Sequence, residues 1–372
     1  MRTIRRLIYG EVFAAVGFVL LAFLSLFFFF DFVEELPALG KASALDAERV
    51  YQLRHALLYV GLLMPNRVYE LLPIAVLIGS VLVLARLAQG SEYTILRTSG
   101  LGPWRALRTL LGLGTVFVLI TFAIGDYVAP AADRTAQLLK ASYQGRISVG
   151  QTGAWLKERQ AYSNFSVNVG ALSAEGELDR VRIFEFDNQG FLVSTVQAAS
   201  GQIEEDDSWT LRGVERREFD TAGLTSARIT HTRLDSFRWP SSLNAEMVSV
   251  ALLKPERMRT ADLFAYVRHL EANNQTAQRY EIEFWRKVFY PLSCLVMVVL
   301  ALPFAYLHFR SGSITGYVFG GVMIGISFFL LNNVFGYIGN LNQWQPWLAA
   351  ASPALIYSVV SLGAFGWLVL RR

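Results

Sequence analysis

The sequence is poor in the residues that build most reactive centres. Its single cysteine, Cys294, lies inside an apolar run, so no disulfide can form within the chain. Its four histidines, His55, His231, His269 and His308, follow no metal-ligand spacing. Lysine is scarce: only Lys41, Lys140, Lys157, Lys254 and Lys287. A P-loop needs G-x-x-x-x-G-K-[ST], because backbone amides and the lysine together hold the phosphates. Only Lys41 follows a glycine; Ala42 comes next, and Glu35 stands at the first glycine position. Neither G-x-S-x-G nor H-E-x-x-H occurs. These absences give an enzyme reading no support, and no cofactor is expected on this chain. The net charge of +4 is small, and no nucleic-acid partner is expected.

Long uncharged runs, by contrast, dominate. Hydrophobic residues make up 53% of the 372 positions and charged residues 17%, too apolar for a soluble protein of this length. A polytopic membrane protein with a polar insert fits. Crossing roughly 30 Å of hydrocarbon takes about 20 helical residues. Six runs suit that length: Val12 to Phe30, Val68 to Ala85, Thr109 to Ala129, Val288 to Leu307, Ile314 to Ile338 and Trp347 to Leu370. The first is too long for a signal peptide and ends in Phe27 to Phe30 with no small-residue cleavage site. Pro65 and Pro73 predict a broken start to the second. Glu70 and Asp126 lie near run ends, and no run holds a central charge, which argues against an ion pathway or proton relay. Asn332 and Asn333 are the main polar residues of the fifth run. Interhelical hydrogen bonding explains them before transport does.

Six spans put both termini on one side. The short segments there carry Arg2, Arg5 and Arg6, then Arg86, Arg97, Arg105 and Arg108, then Arg310, and finally Arg371 and Arg372. On the other side, Asp31 to Ala56 has Lys41, Arg49 and Arg54 against five acids, and Gly339 to Pro346 has no basic residue. This bias predicts cytoplasmic termini and a cytoplasmic Arg-rich connection.

Between the third and fourth runs lies a long polar insert on the outer side. It reads as β for most of its length: Asn164 to Val169, Val181 to Phe186, Phe191 to Val196, Gln202 to Glu204, Trp209 to Val214 and Arg228 to Thr232. Asp187 to Gly190 and Glu205 to Ser208 are turn clusters. So many short strands predict a sandwich, jelly roll or partly open barrel. Helical periodicity returns at Leu263, Tyr266, Val267 and Leu270, with Thr260 as the expected N-cap.

The connection L-A-Q-G-S-E (Leu87 to Glu92), followed by T-S-G (Thr98 to Gly100), resembles the LptF/LptG permeases of lipopolysaccharide export. So do Gly125-Asp126-Tyr127-Val128-Ala129-Pro130 closing the third run and Leu331-Asn332-Asn333-Val334-Phe335-Gly336 in the fifth. The likeness covers nearly the whole chain, and the L-A-Q-x-S-E form is nearer the LptG side of the family. It implies an α-helical membrane bundle of six transmembrane helices with a periplasmic jelly-roll-like β domain between helices 3 and 4. The corresponding division is 1–130, with a cytoplasmic coupling helix at about 86–103, then 131–259 for the β domain and 260–372 for a connecting helix and the last three spans.

The resemblance also implies partners. They are a homologous LptF permease, a cytoplasmic LptB ATPase dimer that holds ATP and Mg, and a periplasmic bridge beginning with LptC. It implies an inner-membrane location and lipopolysaccharide as the substrate. Lipoprotein-release permeases, another class of ABC membrane subunit, place their large domain after the first span, whereas here it follows the third. A membrane sensor with a β domain would need no ATPase contact.

Roles for residues follow from the same likeness. Glu92, with Tyr93, Leu96 and Arg97, would face the ATPase. An exposed Glu92, solvated or paired locally with Arg97, would contribute only about 0–1 kcal/mol. Moving about five acyl chains of about twelve carbons through water costs on the order of 50 kcal/mol, so the path must stay apolar. Phe27 and Phe30 in the first span, and Gly320, Phe328 and Asn332 in the fifth, are expected at the cavity or its gates. Gly316-x-x-x-Gly320 and Gly321-x-x-x-Gly325 permit close helix approach. Arg134, Lys140 and Arg146 are expected at the lipid headgroup, with interfacial anchoring as the alternative. Asp31, Glu34 and Glu35 stand at the first-span exit, where the likeness leads one to expect lysines. Either the partner permease supplies those charges or the headgroup is less anionic.

Overall fold

The computed structural model describes residues 2–41, 50–90, 92–98, 100, 102–144, 153–160, 163–172, 177–204, 208–220, 228–244, 247–248, 255–306 and 314–370. The chain divides into two compact units. One contains Met1–Glu34, Val60–Ala132 and Gln278–Arg372; the other contains Glu35–Tyr59 and Asp133–Ala277.

The first unit is helical. Its elements include α1 (Arg2–Glu35), α2 (Leu53–Gln89), the short α3 (Glu92–Thr98) and α4 (Pro103–Ala123). A π-turn at Ile124–Val128 leads into α5 (Ala129–Gln144). After the second unit come α7 (Gln278–Phe289), α8 (Ser293–Ala301, continued by a 3-10 turn to Tyr306), α9 (Ile314–Leu341) and α10 (Pro346–Leu370). Five helical stretches among the described residues are long and apolar enough to cross a bilayer, and α7 with α8 makes a sixth if taken as one bent span. α2 is buried over most of its apolar length, whereas α1 is exposed over most of its own. The core collects Val12 and Val16 of α1, Leu77, Val81 and Leu84 of α2, Leu113 and Phe117 of α4, and Met297 and Val298 of α8.

Two spans differ from expectation for physical reasons. α2 is continuous through Pro65 and Pro73 rather than broken. In apolar surroundings a broken helix strands more backbone groups than the two hydrogen bonds these prolines remove. The fourth run, Val288 to Leu307, falls across a 47° bend between α7 and α8, at Tyr290–Leu292, where Pro291 sits. Taken as one bent span, α7 and α8 begin earlier than expected and take in Glu283, Arg286 and Lys287.

The second unit holds one antiparallel sheet of six strands: β1 (Ala154–Arg159), β2 (Asn164–Leu172), β3 (Glu177–Phe186), β4 (Leu192–Ile203), β5 (Ser208–Asp220) and β6 (Arg228–Pro240). Successive strands pair in chain order, a meander. The jelly-roll-like expectation is met here as an antiparallel β domain; no pairing out of chain order occurs among the described residues. β1 was not expected, although Ala154, Leu156 and Glu158 alternate inward with period two. Gln202 to Glu204 is not a separate strand: β4 runs through Gly201, whose missing side chain admits Leu211 of β5, since a Cβ there would lie 2.7 Å from the leucine. The Asp187 turn forms as expected, with the carboxylate accepting from the Gln189 and Phe191 amides at 2.9 and 2.8 Å. α6 (Thr260–Ala272) begins at Thr260, so the cap position belongs to Arg259 instead.

Candidate functional site

Within the Arg-rich connection, Glu92–Thr98 forms the seven-residue α3, and Gly100 at φ +101° takes the chain out of the helical course. The Arg105 guanidinium donates to the Gly100 carbonyl at 3.0 Å and ties the turn to α4. α3 has two faces. Tyr93 is 4% exposed, and its ring packs edge-on against Tyr306 at 5.3 Å. Burial pushes its hydroxyl well above the ordinary tyrosine range. Leu96 packs half-buried on the same core, and the Arg97 guanidinium lies 5.9 Å over the Tyr306 ring. Glu92 and Ile95 point outward. Of the residues expected at the ATPase contact, Tyr93 and Leu96 therefore anchor α3 to the helical core, and Glu92 is exposed.

The acidic first-span exit is neutralised from within. In the helical unit, Asp31 accepts from Arg67 Nη2 at 2.8 Å and Nε at 3.2 Å. The same guanidinium lies 4.9 Å over Phe27. In the other unit, Glu35 accepts from the Lys140 ammonium and from the Tyr51 hydroxyl. Lys140 sits 4.5 Å over the Tyr59 ring. Lys140 is thus paired, Arg134 is exposed, and Arg146 lies outside the described residues. Composition carries no sign of these pairings: Arg67 is 36 residues from Asp31, and Lys140 is 105 from Glu35.

The expected gate residues separate into packed and open sets. On α9, Gly321 and Gly325 face α2, where added Cβ atoms would lie 3.7 Å from Val81 and 2.7 Å from Ile74. Gly316 and Gly320 would meet nothing within 4 Å. Phe328 is 1% exposed, edge-on to Tyr357 at 5.2 Å and stacked near Tyr290, and Asn332 is buried. On α1, Phe30 is exposed with Phe29 beside it, and Phe27 is half-buried. Gly320 and Phe30 therefore lie on open faces, while Phe328 and Asn332 are packed inside the helical unit.

Sequence reasoning missed a buried polar contact at the end of α4. The Lys287 ammonium, 6% exposed, donates to the Gly125 carbonyl at 3.2 Å. Glu283 and Arg286 of the same helix α7 pair at 2.7 Å, and Arg286 also donates to the Asn333 side chain at 3.3 Å. Five charged residues in twelve disguise α7 as a surface helix; only the burial of Glu283 and Lys287 sets it apart from one.

The sequence matches known proteins over nearly its full length. Residues 6–371 match the family model described as lipopolysaccharide export system permease LptF/LptG. The lipopolysaccharide export system permease protein LptG of Escherichia coli is 29% identical over 371 residues, covering 99% of this chain and 98% of the relative. The LptG of Haemophilus influenzae is 26% identical over 375 residues, covering 100% of this chain and 99% of the relative.

Proposed function

The chain belongs to the LptF/LptG family of lipopolysaccharide export system permeases, and we propose on that basis how its parts divide the work. It is a multi-pass inner-membrane permease subunit, a transport component rather than an enzyme. It extracts lipopolysaccharide from the inner membrane alongside a homologous LptF permease. An LptB dimer below supplies the energy from ATP and Mg, and LptC receives the lipid at the start of a periplasmic bridge. Residues 1–130 and 260–372 supply the spans, with both termini cytoplasmic, and 131–259 form the periplasmic β domain.

The observation that carries the coupling role is the division of α3. A helix held to the core by Tyr93 and Leu96 transmits force, and one that leaves Glu92 and Ile95 free has a face for a partner. Glu92 meets the ATPase there and passes its rigid-body motion into the spans. Glu92→Ala is expected to leave the permease–ATPase complex assembled while lowering lipid-stimulated ATP hydrolysis and lipid release about tenfold. Wild-type release by that variant would refute the assignment.

Apolar faces of α1 and α9 that carry Phe30 and Gly320 border the lipid cavity, together with the partner permease. Arg134 meets headgroup phosphate directly. Within the same unit Lys140 meets it only when it leaves Glu35, and in the helical unit Arg67 is open to phosphate only when it leaves Asp31, so the acids temper each cation rather than abolish it. Internal pairing thus offers a third account of the missing lysines, beside supply by the partner and a less anionic headgroup.

A further inference from the structure

Three helix irregularities meet inside the helical unit. The first is the π-turn at Ile124–Val128. Pro130 explains it: with no N–H, it cannot donate to Asp126 four residues back, and its ring crowds that carbonyl. The helix widens to relieve the crowding. The Ala129 amide, which would donate to Gly125 in an α-helix, donates to Ile124 instead. The next residue that could reach Gly125 in the widened register is Pro130 itself. The Gly125 carbonyl is therefore left to a side chain, and Lys287 takes it.

The second irregularity is the 47° break between α7 and α8. It begins three residues after Lys287, at Tyr290, whose hydroxyl donates to the Glu70 carbonyl of α2. The third is Pro73 within α2, which deprives the Tyr69 carbonyl of its helical donor. Tyr69 joins all three. Its ring lies against Gly125, where a Cβ would come within 2.3 Å of ring atoms, and it packs 5.1 Å from the Tyr290 ring. Phe328 stacks on Tyr290 from α9.

The geometry points to a hinge layer: the π-turn, the α7–α8 break and the Pro73 segment of α2 bend together during transport, and Lys287 is the positioning residue that keeps the π-turn in register. A straight helix resists bending because each backbone bond would have to be broken. Here three helices depart from regular geometry at one place: Lys287 holds the Gly125 carbonyl that the π-turn frees, and the Tyr290 hydroxyl ties the α7–α8 break to the Glu70 carbonyl beside the one that Pro73 frees. Movement about this layer exchanges side-chain contacts rather than unwinding helices. Phe328 carries it to α9. The proposal rests on the export reading above and adds where within this permease the motion is made.

The test uses the purified permease–ATPase complex in lipid, with three readouts: thermal stability, ATP hydrolysis and release of lipopolysaccharide to an acceptor. Pro130→Ala restores the missing N–H, so the segment no longer needs Lys287. It should leave stability equal to or above wild type and ATP hydrolysis intact, yet lower release on the order of tenfold. Lys287→Met should lower release in an assembled complex, Lys287→Arg should restore it, and Lys287→Met should add nothing in the Pro130→Ala background. A structural role alone predicts that release follows stability, so Pro130→Ala would then release at least as well as wild type. That result overturns the hinge, as does wild-type release by Lys287→Met. Failure of the export reading looks different: the wild-type complex itself would release no lipopolysaccharide.

Discussion

At the scale of single residues, the decisive events are pairings across long sequence separations. Asp31 is almost buried and forked by Arg67, whose side chain is 31% exposed. Asp31→Asn should cost about 1–3 kcal/mol, because a charge-assisted bond is lost while a weaker acceptor remains. A merely structural pair predicts that Asp31→Asn and Arg67→Gln shift lipid crosslinking in the same direction. If Arg67 exchanges Asp31 for a phosphate, the signs differ: Asp31→Asn should raise crosslinking to anionic lipid, and Arg67→Gln should lower it. Photocrosslinking in membranes separates the two cases. The sequence announces an acidic exit and a puzzle about missing lysines; only the fold brings Arg67 and Lys140 to those acids.

At the scale of elements, the same residue type does different work on different faces. Gly325 is packed against Ile74 and Gly320 meets nothing within 4 Å, although both lie on α9 and both belong to G-x-x-x-G pairs. Gly325→Val should therefore lower the melting temperature of the chain, since overpacking a helix contact costs about 1–3 kcal/mol. Gly320→Val should leave melting unchanged and alter association with a second permease, read as the fraction recovered in a heterodimer. On α3, Tyr93→Phe should be close to neutral, because packing on Tyr306 survives. Tyr93→Ala should cost about 3 kcal/mol and uncouple ATP hydrolysis from lipid release, which paired activity assays will show. The family likeness placed Glu92, Tyr93, Leu96 and Arg97 together at the ATPase contact. The orientation of α3 was not legible, because seven residues turn twice and Tyr306, the surface they meet, is more than two hundred positions away.

At the scale of the whole molecule, the chain is one component of an assembly. Purified from native membranes, it should bring down a homologous permease and an ATPase, and mass spectrometry should find lipopolysaccharide bound. Recovery as a lone homomer would contradict that organisation. Six apolar runs, the β-rich insert between the third and fourth, and the signature tracts at Leu87–Glu92 and Gly125–Pro130 sufficed to identify the architecture and family, because hydrophobic length and local motifs are written in consecutive residues. The tertiary structure alone decided that α2 passes unbroken through two prolines and that the charged helix α7 is partly buried ahead of the fourth apolar run. It alone turned Tyr93 inward and brought Lys287 to the carbonyl that Pro130 leaves unsatisfied. Each of these depends on a partner far away in the chain, and a free energy set by such a contact has no local signature.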